Sequence, residues 1–205
     1  MYIFCHIVFI IAAIIFCILR IINIFPNVTE IMFFNVLGTI WAALEVQIEG
    51  KYGWATELPT NKFFGTKFTW YHVMMNCMVI MTVFMSVKWS WRVPYWISGL
   101  FFIEDYMWFM INPHFGIKNY NSENVWWHSW WGNQPSGNWI STAIMSISSI
   151  CSYYFENDTT LLLFNLVNLS YVLLATILNY FLASPKKLDK SPYSNKINNS
   201  ELKLD

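Results

Sequence analysis

The sequence predicts an all-α fold, a polytopic transmembrane bundle of about six helices. Three observations predict it. Only 12% of the 205 residues are charged and 56% are hydrophobic, whereas soluble domains carry roughly a quarter charged residues. Six segments approach the ~20 apolar residues that a bilayer-crossing helix needs. Trp70 and Trp89 bracket the third segment, 19 residues apart, which is about 28 Å along a helix and close to the hydrocarbon thickness of a bilayer.

The first segment, 3–25, has no basic leader, a long apolar run and no clear small-x-small cleavage site. It therefore reads as a retained helix and not as a cleaved signal. The second, 31–50, is free of charge up to Leu44 and then meets Glu45 and Glu49. The third, 68–87, carries Met78, Met81 and Met85, thioethers suited to packing or to soft metals. The fourth, 93–112, runs into Asn112-Pro113 and Gly116, which mark a helix stop. Trp91 and Trp96 are expected at the same interface as Trp89. The fifth, 138–155, is rich in small residues ("STAIMSISS"), as close helix packing requires. The sixth, 159–183, is almost wholly apolar. Residues 1–183 then form one membrane domain, and 184–205 form a polar Lys-containing tail expected to be disordered. Cys5, Cys17, Cys77 and Cys151 lie in apolar runs without metal-finger or redox spacing, the pattern of buried, inert thiols.

Charge sets the expected orientation. With six helices both termini share a side. Placing the tail in the cytoplasm puts nine Lys inside (Lys51, Lys62, Lys67, Lys118 and five in the tail) against Arg20, Lys88 and Arg92 outside. This obeys the positive-inside rule. Two long loops dense in Trp, Gly and Pro, 49–65 and 112–139, fall on the cytoplasmic side. Loops of this length commonly form lids or interfacial segments. The zero net charge offers no case for nucleic-acid binding.

This topology gathers the unusual side chains at the cytoplasmic end. Glu45 and Glu49 are four apart and share a helix face. Glu104 and Asp105 precede Pro113 by nine and eight residues, roughly 12–14 Å above the helix end and so inside the bilayer. His72 opens the third segment, while His114 and His128 ("VWWHSWWG") lie in or beside the second long loop. A charged carboxylate at mid-membrane costs about 2.5–3.5 kcal/mol on insertion scales. With Lys51, Lys62, Lys67 and Lys118 all in loops, the partners left for two adjacent acids are imidazole, protons or a bound cation.

Imidazole and carboxylate together suit Zn, Fe or Mn, and facing helices build such sites. The candidate metal ligands are Glu45, Glu49, His72, Glu104, Asp105, His114 and His128, with Glu104 and His72 as candidate catalytic groups. The spacing is not diagnostic, because no Glu-x-x-His, His-Glu-x-x-His or desaturase-type His box is present. Each residue also has a plainer reading: a helix end in water for Glu45 and Glu49, an interfacial ring for His72 and His128, a turn residue for His114. Glu49 to His72 and Asp105 to His128 are both 23 residues, each His following two aromatics. That is either a parallel repeat or a chance recurrence.

The series "EGKYGWATELPT", "YH", "EDYMWFMINPHFG" and "WWH", spanning residues 45–131, resembles small multi-spanning membrane proteins of bacterial type that carry no assigned activity. The resemblance implies that the acid- and His-bearing segments belong together, and it implies no reaction. The leading expectation is a metal-dependent membrane enzyme acting on a lipid or other hydrophobic substrate. One alternative is a proton or metal-ion transporter, against which the non-cytoplasmic half shows almost no polar path. The other is a non-catalytic scaffold or assembly factor, with the fifth segment packing helices, between subunits if the chain forms a homo-oligomer. A divalent metal ion is the expected cofactor and the lipid bilayer the expected surrounding.

Overall fold

The computed structural model describes residues 25–50, 69–120 and 138–182, together with Ile11, Ile14, Ile15, Ile18, Leu19, Ile21 and Ile22. Most of the first expected segment, most of both Trp-rich loops and the tail after 182 lie outside the described residues. Those that are described form five α-helices and one 3-10 turn, Ile117–Asn119, with no β-strand among them. The helices are α1 (Pro26–Glu49), α2 (Trp70–Ser86), α3 (Arg92–Ile111), α4 (Asn138–Glu156) and α5 (Thr160–Leu182). They correspond to the second to sixth expected segments. Of these, α1 and α5 are long and apolar enough to cross a membrane, and α2 is a shorter apolar helix.

Local chemistry sets the ends. Pro26 opens α1 at the position where its missing N–H costs nothing. At the other end Gly50 takes a positive φ of 64°, a conformation open to glycine without strain. Asn112 stops α3 in an extended conformation, as the residue before a proline prefers. Asn157 turns the chain between α4 and α5 with φ 54°, a left-handed state Asn tolerates.

The core is built on α3, which packs against α1, α2, α4 and α5. Ile31, Phe34, Gly38, Trp41, Ala42, Glu45 and Glu49 recur every three or four residues along α1 and are buried together on one face. Gly38 is where α1 and α3 touch most closely: a Cβ there would lie 2.9 Å from Ile103 Cγ2. Ala42, fully buried one turn on, continues this small-residue stripe. Towards the Glu30 end, Phe34 stacks on Trp96 with centroids 4.2 Å apart. Towards the Glu49 end, Ile103, Met107, Trp108, Phe109 and Phe115 close the core around Ala42 and Val46. On the α4 side, Ser148, Ser149 and Ser152 are buried, so the small-residue face is used inside the chain.

Trp96 is fully buried, its indole N–H donating to Glu30 at 2.6 Å while its ring packs on Phe34. Two expectations are corrected. Cys77 is exposed and not buried. The Met78, Met81 and Met85 side chains do not pack inside but point outward, since α2 meets α3 through Val79 and Val83.

Overpacking a tight helix crossing costs about 1–3 kcal/mol. Gly38→Val should therefore lower stability by that order in detergent and separate α1 from α3, while Val36→Leu on the same helix changes little. Thermal unfolding of the purified variants checks this. Equal midpoints for Gly38→Val and the parent would show that the crossing is not tight.

Candidate functional site, a buried carboxyl cluster

The close approach at Gly38 carries α1 down along α3, so residues seven and eleven further on meet the acids of α3. Glu45, Glu49 and Glu104 are all buried, and Asp105 is partly buried. The Glu45 and Glu104 carboxyls are within hydrogen-bonding reach of each other, and Asp105 and Glu49 act electrostatically on the same group. Carboxylates only accept hydrogen bonds, so a contact between two of them requires a proton or a cation between them. Trp41 supplies one neutral donor, its Nε1–H reaching Glu45 Oε1 at 3.1 Å.

The N-terminus of α2 adds two ring residues. His72 Nε2 lies 3.5 Å from Glu49 Oε1, and His72 Nδ1 is 2.8 Å from Thr69 Oγ1. A carboxylate near one ring nitrogen and a hydroxyl on the other orient the imidazole's plane. The Tyr71 hydroxyl is buried close to Glu45, short of good hydrogen-bond geometry, and within electrostatic reach of Glu49 and Glu104. Among the described residues no Lys or Arg forms an ion pair with Glu45, Glu104 or Asp105.

Five of the seven expected site residues thus converge: Glu45, Glu49, His72, Glu104 and Asp105. The water-exposed reading of Glu45 and Glu49 does not hold, because both are buried against α3 and α2. His114 is placed in the turn after α3, where its N–H donates to Asn112 Oδ1 at 3.0 Å and its carbonyl accepts from Asn119 at 3.0 Å. His128 lies outside the described residues. No three His, Cys, Asp or Glu side chains among the described residues are arranged to hold one metal ion.

The sequence reading missed a row of polar contacts along α5. Asn165 reaches Ser149 at 2.9 Å, Asn168 reaches Tyr95 at 3.0 Å and Tyr171 meets Thr39 at 2.7 Å. Thr176 meets Tyr106, and Asn179 donates to the Met110 carbonyl at 2.6 Å. The signal was present as Asn, Tyr and Thr recurring on one face of an otherwise apolar helix. Buried polar residues therefore continue beyond the cluster towards the Glu30 end, contrary to the expectation of almost no polar path there.

That end is closed by an ion-pair latch. Arg92 Nη1 holds Glu30 Oε2 at 2.6 Å and Arg92 Nη2 holds Asp158 Oδ2 at 2.9 Å. The latch joins α1, α3 and the three-residue loop before α5. Asp158 also accepts the Thr160 N–H at 2.8 Å, closing an Asx turn. Burial pushes the Asp158 carboxyl up, but hydrogen bonds from Thr160 and Arg92 outweigh this and hold it below its ordinary value.

No protein-family profile matches the chain, nor does any curated protein or solved structure.

The depressed Asp158 carboxyl has a defined pH consequence. Its stabilisation is present above the unfolded pKa of about 3.9 and is lost as pH falls through the lower folded value. Asp158→Asn should be less stable than the parent near neutrality and should lack the loss the parent shows in acid below about pH 4. Unfolding midpoints across an acid series measure both. Superimposable profiles would show that the latch contributes nothing.

Proposed function

We propose that the chain is a multi-pass integral membrane protein with both termini cytoplasmic, and that the carboxyl–His cluster is its working centre, a proton or metal-ion transport site. The observation that carries this reading is the contact between Glu45 and Glu104 in an interior where neither has a Lys or Arg partner among the described residues. Buried acids without basic partners recur in membrane proteins as ion and proton sites. The polar contacts along α5 favour transport over a one-sided site, since they extend the polar interior from the cluster towards the other end. In this reading Glu104 and Glu45 exchange the ion. Asp105 and Glu49 set the local field, and His72 passes charge between Glu49 and the cytoplasmic surface.

A second reading, a metal-dependent enzyme acting on a lipid or other hydrophobic substrate, is favoured by one feature. The Thr69–His72–Glu49 arrangement orients an imidazole as a general base would be oriented. A Zn, Fe or Mn ion would then sit between the acids and activate water. No group of three such ligands is seen among the described residues, so this reading would draw a further ligand from outside them, with His128 a candidate.

Reconstituted liposomes separate the two. Under the transport reading, wild-type vesicles dissipate a proton or divalent-metal gradient, and Glu104→Gln abolishes this while eluting and unfolding like the parent. Wild-type vesicles that stay tight while the purified protein retains metal, lost in Glu104→Gln, would move the assignment to the enzyme. Unchanged flux and metal content in Glu104→Gln would remove the cluster from function altogether. Reporter fusions placing the 50–67 loop and the tail on opposite sides of the membrane would overturn the topology.

A further inference from the structure

We infer that the seam between α1, α3 and α5 holds buried water at the level of Asn35 and Asn168, leading from the latch end towards the carboxyl cluster, and that the ion the cluster exchanges is the proton. The inference rests on the transport reading for its direction of use and on the seam's own geometry for its water.

The side chains of Asn35 and Asn168 are more than nine-tenths buried, and the Oδ1 of each has no hydrogen-bond partner. Leaving a buried acceptor unmade costs about 1–3 kcal/mol. Turning the Asn168 amide over does not remove the problem. Its Nδ2 donates to Tyr95 Oη, so the reversed amide would move the orphan from oxygen to nitrogen. In the orientation observed, the Tyr95 hydroxyl has its own proton left to donate. Two buried acceptors without partners, beside a hydroxyl with a proton to give, are better explained by bridging water than by strain.

The orphans sit at one level. Asn35 is four residues above Thr39 on α1, and Asn168 is three above Tyr171 on α5. Thr39 and Tyr171 touch at 2.7 Å. At 1.5 Å per residue the two amides lie about 4.5–6 Å above that contact on helices that run the same way from the latch. Thr39 Oγ1 donates to the Asn35 carbonyl at 2.7 Å. Its one proton is thereby used, and Tyr171 is the donor in the contact between the two hydroxyls. Below this pair the Tyr106–Thr176 contact continues the row along α5, two residues past Glu104 on α3 and on the helix face turned to α5. Above it, Glu30 and Arg92 close the seam.

Interhelical bonds of Asn, Thr and Tyr are ordinary glue between membrane helices. Glue accounts for the paired atoms and leaves the orphans unexplained. The lining also selects the ion. The stretch between the latch and the acids presents neutral hydroxyls and amides; the hydroxyls and water pass protons, and the amides hold that water in place. A divalent ion would have to shed its water there without a single carboxylate. The ionisable groups that face the route are Glu30, Arg92, Tyr95 and Tyr171 above the cluster, Glu45, Glu49, Tyr71, His72, Glu104 and Asp105 within it, and Tyr106 just past it on α3.

The test uses the full chain with Cys5, Cys17, Cys77 and Cys151 replaced by Ser, reconstituted in liposomes. Asn35→Cys and Asn168→Cys should react with a small hydrophilic methanethiosulfonate, and Leu100→Cys, equally buried in the apolar core, should not. Should a cysteine variant fail to fold, radiolytic footprinting of the unmodified protein gives the same answer: Tyr95 and Tyr171 label despite burial, Trp96 and Phe164 do not. In a proton-gradient assay Asn168→Leu should lose flux. Unreactive cysteines, or unlabelled Tyr95 and Tyr171, overturn the inference. So does normal proton flux in Asn168→Leu alongside its loss in Glu104→Gln, an outcome that leaves the transport reading standing. Reactive seam positions in vesicles without any flux would keep the buried water and overturn the transport reading instead.

Discussion

The closeness of α1 to α3 at Gly38 is the constraint on which the other contacts depend. With no Cβ at Gly38 and only a methyl at Ala42, the two backbones approach until Ile103 fills the space between them. That contact fixes the register of one helix against the other. Register in turn sets what meets what at each end. Towards one end, Glu30 reaches Trp96 and Arg92. Towards the other, Glu45 reaches Glu104, and the Gly50 carbonyl accepts from Asn112 at 3.1 Å. A one-residue slip would rotate every α1 side chain by about 100° and break these contacts together. The steric requirement at Gly38 and the placement of the acids are therefore one fact about the fold.

The two ends of the same helix pair handle charge in opposite ways. At the latch, two carboxylates share one guanidinium whose two terminal nitrogens are both engaged, the fork geometry for which Arg is suited. The arrangement is partly exposed, and each carboxylate meets a cation. At the cluster, four acids and one imidazole converge with Trp41 as a neutral donor. Among the described residues no Lys or Arg pairs with Glu45, Glu104 or Asp105, and acids buried without a basic partner are destabilising unless a proton or an ion completes the site. A protein that needed only to tie α1 to α3 could have repeated the latch, so the unbalanced end is the one that calls for a functional explanation.

Much of this architecture was legible in the sequence, for identifiable reasons. Helix ends were readable where chemistry forces them, at Pro26 and at Asn112-Pro113. The convergence of Glu45, Glu49, His72 and Glu104 followed from topology and periodicity. What escaped was rotation about the helix axis. In a chain that is apolar on every side, hydrophobic periodicity does not distinguish the face that packs from the face that looks outward. The outward turn of the α2 Met residues and the inward turn of Trp96 were therefore not legible, while the polar face of α5 went unremarked among its leucines. Trp96 turned inward because Glu30 offers its indole N–H an acceptor inside the bundle, a pairing 66 residues apart in the chain.

The polar face of α5 bears on how a helix long and apolar enough to cross a membrane is used. Its outward side is a run of leucines, with Leu163, Leu166 and Leu169 more than half exposed, as a surface against acyl chains would be. Its inward side spends Asn165, Asn168, Tyr171, Thr176 and Asn179 on hydrogen bonds to α4, α1 and α3. Such bonds average only about 0.6 kcal/mol each in membrane proteins. Leucines filling the same volume would pack the seam at comparable stability and with no unmet acceptor. Cohesion alone is thus a poor reason to line the seam with amides and hydroxyls. The better reason is that these groups keep the seam polar over its length while adding no charge to it. This leaves the acids at the Glu49 end as the only anionic stop below the latch on the inward faces described.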